Sequence, residues 1–396
     1  MTDATPRPRP RRAGGVRASG WMLIALAVAL TSAGLWGGWV ELTVPGMVLG
    51  GIVLAAAPMT LGRSPFDVAL DFPQAGRRVE VGQTAPGELR LRNTSTRRCL
   101  PFQIRLPNGP VIHREQVPSL AAGDTYSRLI AVVGQRRGIV TVGPVESYRG
   151  DPLGLMERSI RWTESVDVCV HPPWLELRTD SPGTIRDLEG QPTSHLSDRD
   201  ISFHALREYV PGDDVRNIHW LASARLANLV VKQFADTRRV RCVIVLSTAA
   251  GEYRDGDDFE LAVSAFASLG RQQLVDRRTT TPFAGPHRLR HDSPAAFLDG
   301  CCLLRTVVTH SGAALAARAA IDRTPGATFA AVVTGSVPTL EEMRRVGRLL
   351  PRGIRLLTLR CGADLPEAGF RSGEASHVDL PALTRLPELL RQVARP

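Results

Sequence analysis

Lysine is almost missing from this chain: Lys232 stands alone among arginines. A P-loop needs a lysine after a glycine-rich loop, and Lys232 lies instead in the strand-like run "NLVVKQF". No Gly-x-Gly-x-x-Gly opens a helix after a strand and no Gly-x-Ser-x-Gly elbow occurs. Those gaps remove the dinucleotide fingerprint and the nucleophile elbow. Aromatics are 5% of residues, so cores must rest on Val, Leu, Ile and Ala. The net charge is +10, yet no basic run is interleaved with aromatics. The arginine bias extends over the whole chain and reads as base composition of the genome, which argues against nucleic-acid binding. The six cysteines, Cys99, Cys169, Cys242, Cys301, Cys302 and Cys361, form no Cys-x-x-Cys pair and have no His at metal spacing. They read as small apolar residues of a reduced compartment, with a disulfide framework as the alternative.

What is present begins with a basic tail, residues 1–20, carrying Arg7, Arg9, Arg11, Arg12 and Arg17 among prolines and glycines. Its composition predicts disorder. Two uncharged runs follow, Trp21 to Val40 and Leu42 to Leu61, parted only by Glu41. Each is about 20 residues, enough to cross a hydrocarbon core of about 30 Å. Trp36 and Trp39 stand where an aromatic belt would lie. The pair predicts a transmembrane hairpin over 21–61; a signal peptide or a buried soluble hairpin are the rivals. Arginines flank both outer ends and the turn has none, so the positive-inside rule places both termini in the cytoplasm.

Residues 62–170 change pattern. "RRVEVGQ", "GELRLRN", "FQIRLP", "YSRLIAVV", "GIVTVGPVESY" and "SVDVCV" alternate apolar and polar residues between turn clusters, which predicts an antiparallel β-sandwich. Residues 171–239 form a linker and a distinctive segment. From 240 to 396, "VRCVIVLST", "TFAAVVTG" and "GIRLLTLRC" read as buried strands. They alternate with helical runs such as "DDFELAVSAFASLGRQQL" and "TLEEMRRVGRLL". This predicts a doubly wound α/β domain with a parallel sheet.

The distinctive segment is "LREYVPGDDVRNIHWLASARLANLVVKQF", Leu206 to Phe234. "HALREYV" alternates like a strand, Pro211-Gly212 makes a turn, and Asp213 or Asp214 can cap a short helix running to about Ala224. Arg207, Arg216 and Arg225 lie near Glu208, Asp213 and Asp214, which allows a network of bidentate pairs that also takes in Tyr209, His219 and Trp220. Two readings follow. One is a catalytic or metal centre on Asp213, Asp214 and His219. The other is an ion-pair knot, favoured because neighbouring arginines hold carboxyl pKa values down whereas acid catalysis needs one raised. "HRLRHD" spaces His287 and His291 four apart, but between prolines and without helical context, so it predicts a surface loop. Cys301 and Cys302 sit in an apolar run and predict core positions.

The long segment resembles the signature of the domain-of-unknown-function 58 family of bacterial membrane proteins: Leu-Arg-x-Tyr, Gly-Asp-x-x-Arg-x-Ile-Asp-Trp, then Ser-Ala-Arg and a strand. His219 departs from it, standing where the family usually has Asp. "RRGIVTVGPVESYRGDPLGLM" resembles a second family segment and departs at Leu153, where Phe is usual. The resemblance implies a von Willebrand factor A-like fold for 240–396. Such domains often hold Mg²⁺ on Asp-x-Ser-x-Ser plus Thr and Asp from later loops. Here Ser247, Ala249 and Gly251 occupy the first three positions and Gly335 the last, so no divalent ion is expected. A shifted site on Glu252, Asp255 and Asp257 is the alternative to a solvated loop and helix start. The resemblance further implies a MoxR-type AAA+ ATPase partner. The expected function is a membrane-anchored, non-enzymatic scaffold without cofactor; the alternative is a membrane enzyme of envelope metabolism.

Overall fold

The computed structural model describes residues 11–61, 66–99, 101–151, 153–177, 201–211, 215–226, 228–236, 241–309 and 311–394. Asp213 and Asp214 lie outside the described residues. The chain divides into two compact units, Met1–His171 and Pro172–Pro396.

The first unit opens with strand β1 (Arg11–Val16) and helices α1 (Ala18–Gly37) and α2 (Val40–Leu61). Strands follow: β2 (Phe66–Asp71), β3 (Arg78–Glu80), β4 (Thr84–Asn93), β5 (Phe102–Asn108) and β6 (Val111–Val117). After these come β7 (Thr125–Val133), β8 (Gly138–Val142), β9 (Glu146–Gly150), β10 (Met156–Arg161) and β11 (Val166–His171). One sheet runs β1-β10-β9-β5-β8-β11-β3 with β6 beside β5; a second runs β2-β4-β7. Alternation does what it should. Ala85, Leu89 and Leu91 of β4 are buried and join Phe102, Ile104 and Val168 of the larger sheet in one hydrophobic core.

The tail departs from its reading. Residues Arg11–Val16 pair antiparallel with β10, from Arg11↔Arg161 to Val16↔Met156, so that six of the twenty residues expected to be disordered form a strand. The apolar pattern gives no hint of it. The driving force is the edge of β10, whose backbone groups need partners whatever the side chains are.

Helices α1 and α2 are long and apolar enough to cross a membrane. They touch through small residues. Ala27 and Gly34, seven apart, are the buried positions of α1 on this face; the third, Gly20, lies against Leu155. A Cβ on Gly34 would stand 2.3 Å from the Thr43 hydroxyl, and one on Gly46 would stand 2.3 Å from that of Thr31. Close backbone approach of this kind is how helices pair without a hydrophobic driving force. The outer faces expose Trp21, Met22, Leu26, Val28, Trp36 and Leu54. Thr31 and Thr43 donate back to their own helices, to the Ala27 and Trp39 carbonyls, and so keep their hydroxyls satisfied.

The second unit contains β12 (Ile201–Glu208), α3 (Trp220–Leu226), β13 (Val230–Asp236) and β14 (Arg241–Leu246). It continues with α4 (Gly256–Val275), β15 (Thr279–Ala284), β16 (His287–Arg288), α5 (Pro294–Cys302), α6 (Ala313–Asp322) and β17 (Phe329–Thr334). It ends with α7 (Leu340–Leu349), β18 (Arg355–Cys361), β19 (Ala368–Ser372), β20 (Ala375–Leu380) and α8 (Leu386–Ala394). The large sheet runs β16-β15-β14-β17-β18-β20-β19, its five inner strands parallel and its two outer ones antiparallel. Successive residues of β14 feed opposite cores: Ile244 and Leu246 pack with α4, Val243 and Val245 with α6. That explains why the strand is apolar without a break. Thr339 and Glu342 form a reciprocal capping box at the start of α7. At the beginning of the unit Leu175 and Leu177 donate to Ser268 and Gln272 of α4, and Arg271 lies over the Trp174 ring.

Candidate functional site

In an open parallel sheet, ligands bind beyond the carboxyl ends of the strands where the winding reverses. Here that point lies between β14 and β17, since β15 flanks β14 on one side and β17 on the other. The residues there are Ser247 to Tyr253 after β14 and Thr334 to Ser336 after β17.

The crevice is filled by the chain itself. Ser247 is fully buried, its N–H donating to Val333 and its carbonyl accepting from the Tyr253 hydroxyl. Ala249 bridges Val307 in parallel register, and Ala250 donates to the Val307 carbonyl. Glu252 is the centre of the arrangement. One carboxylate oxygen accepts from the Thr334 hydroxyl at 2.7 Å and the other from the Ala313 N–H at 2.7 Å. Its carbonyl accepts from Val337. A Cβ on Gly335 would stand 2.2 Å from the Glu252 carbonyl oxygen and 2.5 Å from the Tyr253 ring. A Cβ on Gly312 would lie 2.3 Å from the Glu252 carboxylate. Both glycines are therefore required by close approach. Burial, first of all, pushes the Tyr253 hydroxyl well above its usual range, and Cys361 and Glu252 add to it.

These residues do not fit a divalent cation. Hard cations take several anionic or carbonyl oxygens. Ser247, Ala249, Gly251 and Gly335 bring no side-chain charge, and both oxygens of Glu252 are committed to protein donors. Among the described residues no group of three His, Cys, Asp or Glu could hold a metal ion. The alternative set of Glu252, Asp255 and Asp257 is also divided. Asp255 caps α4 by accepting from the Asp258 N–H, Asp257 lies in the first turn of that helix, and Glu252 faces inward. The expectation of a solvated loop holds for the exposed Asp255 and Asp257 and fails for Glu252.

Two acids at this edge escaped the sequence reading. Asp258, 2% exposed, accepts from the Ser336 hydroxyl, and Gly362 packs against its carboxylate. Asp379 receives both arms of Arg360, at 2.7 and 2.6 Å, while the third nitrogen reaches the Pro338 carbonyl. A cross-strand register would have found that pair, since Arg360 and Asp379 stand opposite in β18 and β20. The helical spacing of Asp258 with Phe259, Ala262 and Val263 would have marked it as inward-facing.

The distinctive segment folds as a hairpin. Strands β12 and β13 pair antiparallel with a register shift between Phe203 and Ala205. The helix starts later than the Asp213 or Asp214 cap implied. Val215–Asn217 is a 3-10 turn and Ile218 bridges Val231, so the α-helical turn opens only at Trp220. His219 serves as its cap, Nδ1 accepting from the Ala222 N–H at 3.1 Å. Ser223 locks the helix to β13, its hydroxyl accepting from the Val230 N–H at 2.9 Å. Ile218, Ser223, Val230 and Val231 are buried. Glu208, Arg216, Trp220 and Arg225 are exposed and Tyr209 is half-buried. The Arg207 side chain lies outside the description. His287 is exposed in the short strand β16 and His291 follows it in an irregular stretch, its Nε2 2.8 Å from the Arg288 guanidinium. Cys301 and Cys302 are buried in α5 as read.

A family model described as "Protein of unknown function DUF58" matches residues 205–274, from within β12 through almost all of α4. The match supports the family resemblance and joins the hairpin to the filled crevice in one span. No curated protein matches the chain. Among solved structures, the CARDB domain of a Pyrococcus furiosus protein matches at 13% identity and TM-score 0.21, covering 28% of this chain and 96% of that one. A beta-glucosidase from Listeria innocua matches at 15% identity and TM-score 0.18, covering 27% of this chain and 16% of that one.

Proposed function

We propose that this chain is a membrane-anchored scaffold that acts by protein–protein contact, with a MoxR-type AAA+ ATPase as its partner. In this reading α1 and α2 span the cell membrane, both termini are cytoplasmic, the first unit is a β-sandwich and the α/β part is von Willebrand factor A-like. The observation that carries it is Glu252. A face that could receive a cation is closed from within by a carboxylate whose two oxygens are both engaged. Among the exposed residues around that face, Arg254, Asp255 and Arg305 are charged, and three valines are apolar. Val337 hangs on the Glu252 carbonyl and Val307 bridges Ala249, and both are exposed; Val308 beside them is 95% exposed. Exposed apolar residues grouped around one loop favour contact with another protein. The partner's identity comes from the family resemblance alone.

The test is affinity purification of the full-length chain from native membranes with mass spectrometry. An AAA+ ATPase should co-purify, and Val308→Asp with Val337→Asp should reduce its recovery while leaving the chain in the membrane fraction. Recovery of no AAA+ ATPase sinks the named partner. Recovery unchanged by the double variant sinks this face as the contact.

A further inference from the structure

The stretch "GDPLGLM", Gly150 to Met156, is not used by the scaffold reading, yet it is built with unusual economy. The Asp151 carboxylate accepts from three backbone N–H groups, Leu153 at 3.0 Å, Leu155 at 3.1 Å and Met156 at 2.6 Å. The Gly154 N–H donates to the Asp151 carbonyl and the Asp151 N–H to the Met156 carbonyl. Two acceptors are satisfied from the start of α1. Arg17 donates its N–H to the Leu155 carbonyl, and the Ser19 hydroxyl donates to that of Gly154. Pro152 has no N–H to satisfy.

The loop is also fastened beside the apolar helices. Leu155 shares a cluster with Val53 and Ala56 of α2, and Leu23 and Ile24 of α1 pack against it. A Cβ on Gly20 would stand 2.3 Å from the Leu155 carbonyl oxygen, so only glycine permits the approach. This places the loop level with Trp21, the exposed tryptophan at the outer end of α1. Trp21 and Trp36 are separated by about 22 Å along the helix at 1.5 Å per residue. That is shorter than a core of about 30 Å, so it is Trp21, at the end of α1 beside this loop, that stands for the belt.

We infer that the turn Leu153–Met156, held by the Asp151 carboxylate, enters the headgroup–acyl boundary of the bilayer and that Leu153, 63% exposed, is its lipid-contacting residue. The inference rests on the reading of α1 and α2 as membrane spans. Irregular backbone is tolerated at that depth only when its polar groups are satisfied, because lipid offers no replacement for water. The Asp151 clamp supplies that condition for the N–H groups of residues 153 to 156. An exposed leucine on such a loop, continuous with two apolar helices, fits lipid in preference to water. Arg17, paired with Glu157 at 2.9 Å, sits where an interfacial cation belongs.

The experiment uses the full-length chain with the two half-buried cysteines, Cys99 and Cys169, changed to serine; the other four are buried. An environment-sensitive fluorophore is attached at Leu153→Cys, and separately at Leu26→Cys on the exposed face of α1 and Leu129→Cys on exposed β7. Each protein is reconstituted in phosphatidylethanolamine–phosphatidylglycerol vesicles. The expected result at position 153 is blue-shifted emission, quenched by lipid brominated near the headgroup and protected from aqueous iodide. Position 26 should be quenched by deeply brominated lipid and position 129 by iodide. If position 26 reports lipid while 153 behaves like 129, the loop inference is overturned and the membrane reading stands. If position 26 is quenched by iodide, the membrane reading falls and the loop inference falls with it.

Discussion

Asp151 in the first unit and Glu252 in the second do the same chemistry at different range. Each is one carboxylate gathering hydrogen-bond donors that would otherwise be stranded. Asp151 gathers its donors within five residues. Glu252 reaches 61 residues to Ala313 and 82 residues to Thr334. The first clamp shapes a loop; the second ties a strand end, a helix start and a neighbouring loop into one layer. Losing the first should loosen a turn, whereas losing the second should loosen the whole carboxyl edge of a sheet.

That difference can be broken open by mutation. Glu252→Ala strands the Thr334 hydroxyl and the Ala313 N–H. The expected cost is about 2–4 kcal/mol, from two buried donors left unsatisfied, read by denaturant unfolding of the full chain in detergent. Gly335→Ala leaves the carboxylate intact and forces a methyl against the Glu252 carbonyl and the Tyr253 ring. Overpacking of that kind should cost about 1–3 kcal/mol in the same assay. Asp151→Ala should cost about 1–2 kcal/mol, as loss of a cap does. Its effect should be local, visible as faster amide exchange at Leu153, Leu155 and Met156. Equal global effects of Asp151→Ala and Glu252→Ala would remove the distinction.

The smallest effect is on pH dependence. His377 of β20 is buried, with Nδ1 2.6 Å from the Thr358 hydroxyl and its ring 5.1 Å from that of Phe370. Burial first, then Arg344, holds its pKa below the ordinary 6.5; Asp379 opposes and Arg360 adds to the lowering. The neutral ring is thus the native form. Its stability contribution is present above the unfolded pKa of 6.5 and is lost as pH falls from there through the depressed folded value. Glu342, held low first by the Thr339 backbone N–H and then by its hydroxyl, loses its contribution as pH falls from its unfolded 4.5 through its depressed folded value. Unfolding midpoints should therefore fall between about pH 7 and pH 5, and His377→Gln should flatten that part of the profile. An unchanged profile in the variant would clear His377 of the effect.

Much of the fold was legible because its signals are local. The alternation in β4, the unbroken apolar β14, the Thr339–Glu342 box and the two long apolar helices each declare themselves within one window. The strand Arg11–Val16 did not, because its reason to exist is the edge of β10 and not its own side chains. The helix at Trp220 starts late for the same kind of reason: Ile218 is held in a bridge to Val231 by pairing that the local residues do not announce. At the candidate site, the lack of a carboxylate at Ser247 and Gly335 and of a hydroxyl at Ala249 and Gly251 could be read directly. The identity of what fills the space could not. Glu252 looks like any acid at a loop until Thr334 and Gly312 are brought to it, and Asp258 hides in an acidic run in which only its helical phase turns it inward.

Strand β1 has a consequence for biogenesis. Synthesis delivers Arg11–Val16 first and both apolar helices next, but the strand's partner is complete only when Arg161 has left the ribosome. Under the proposed membrane-spanning reading, the hairpin reaches the lipid with its leading strand still waiting. Moved alone onto another protein, it would carry an unmatched ribbon; the helical hairpin is tied through β1 into the β fold and cannot serve as a detachable leash.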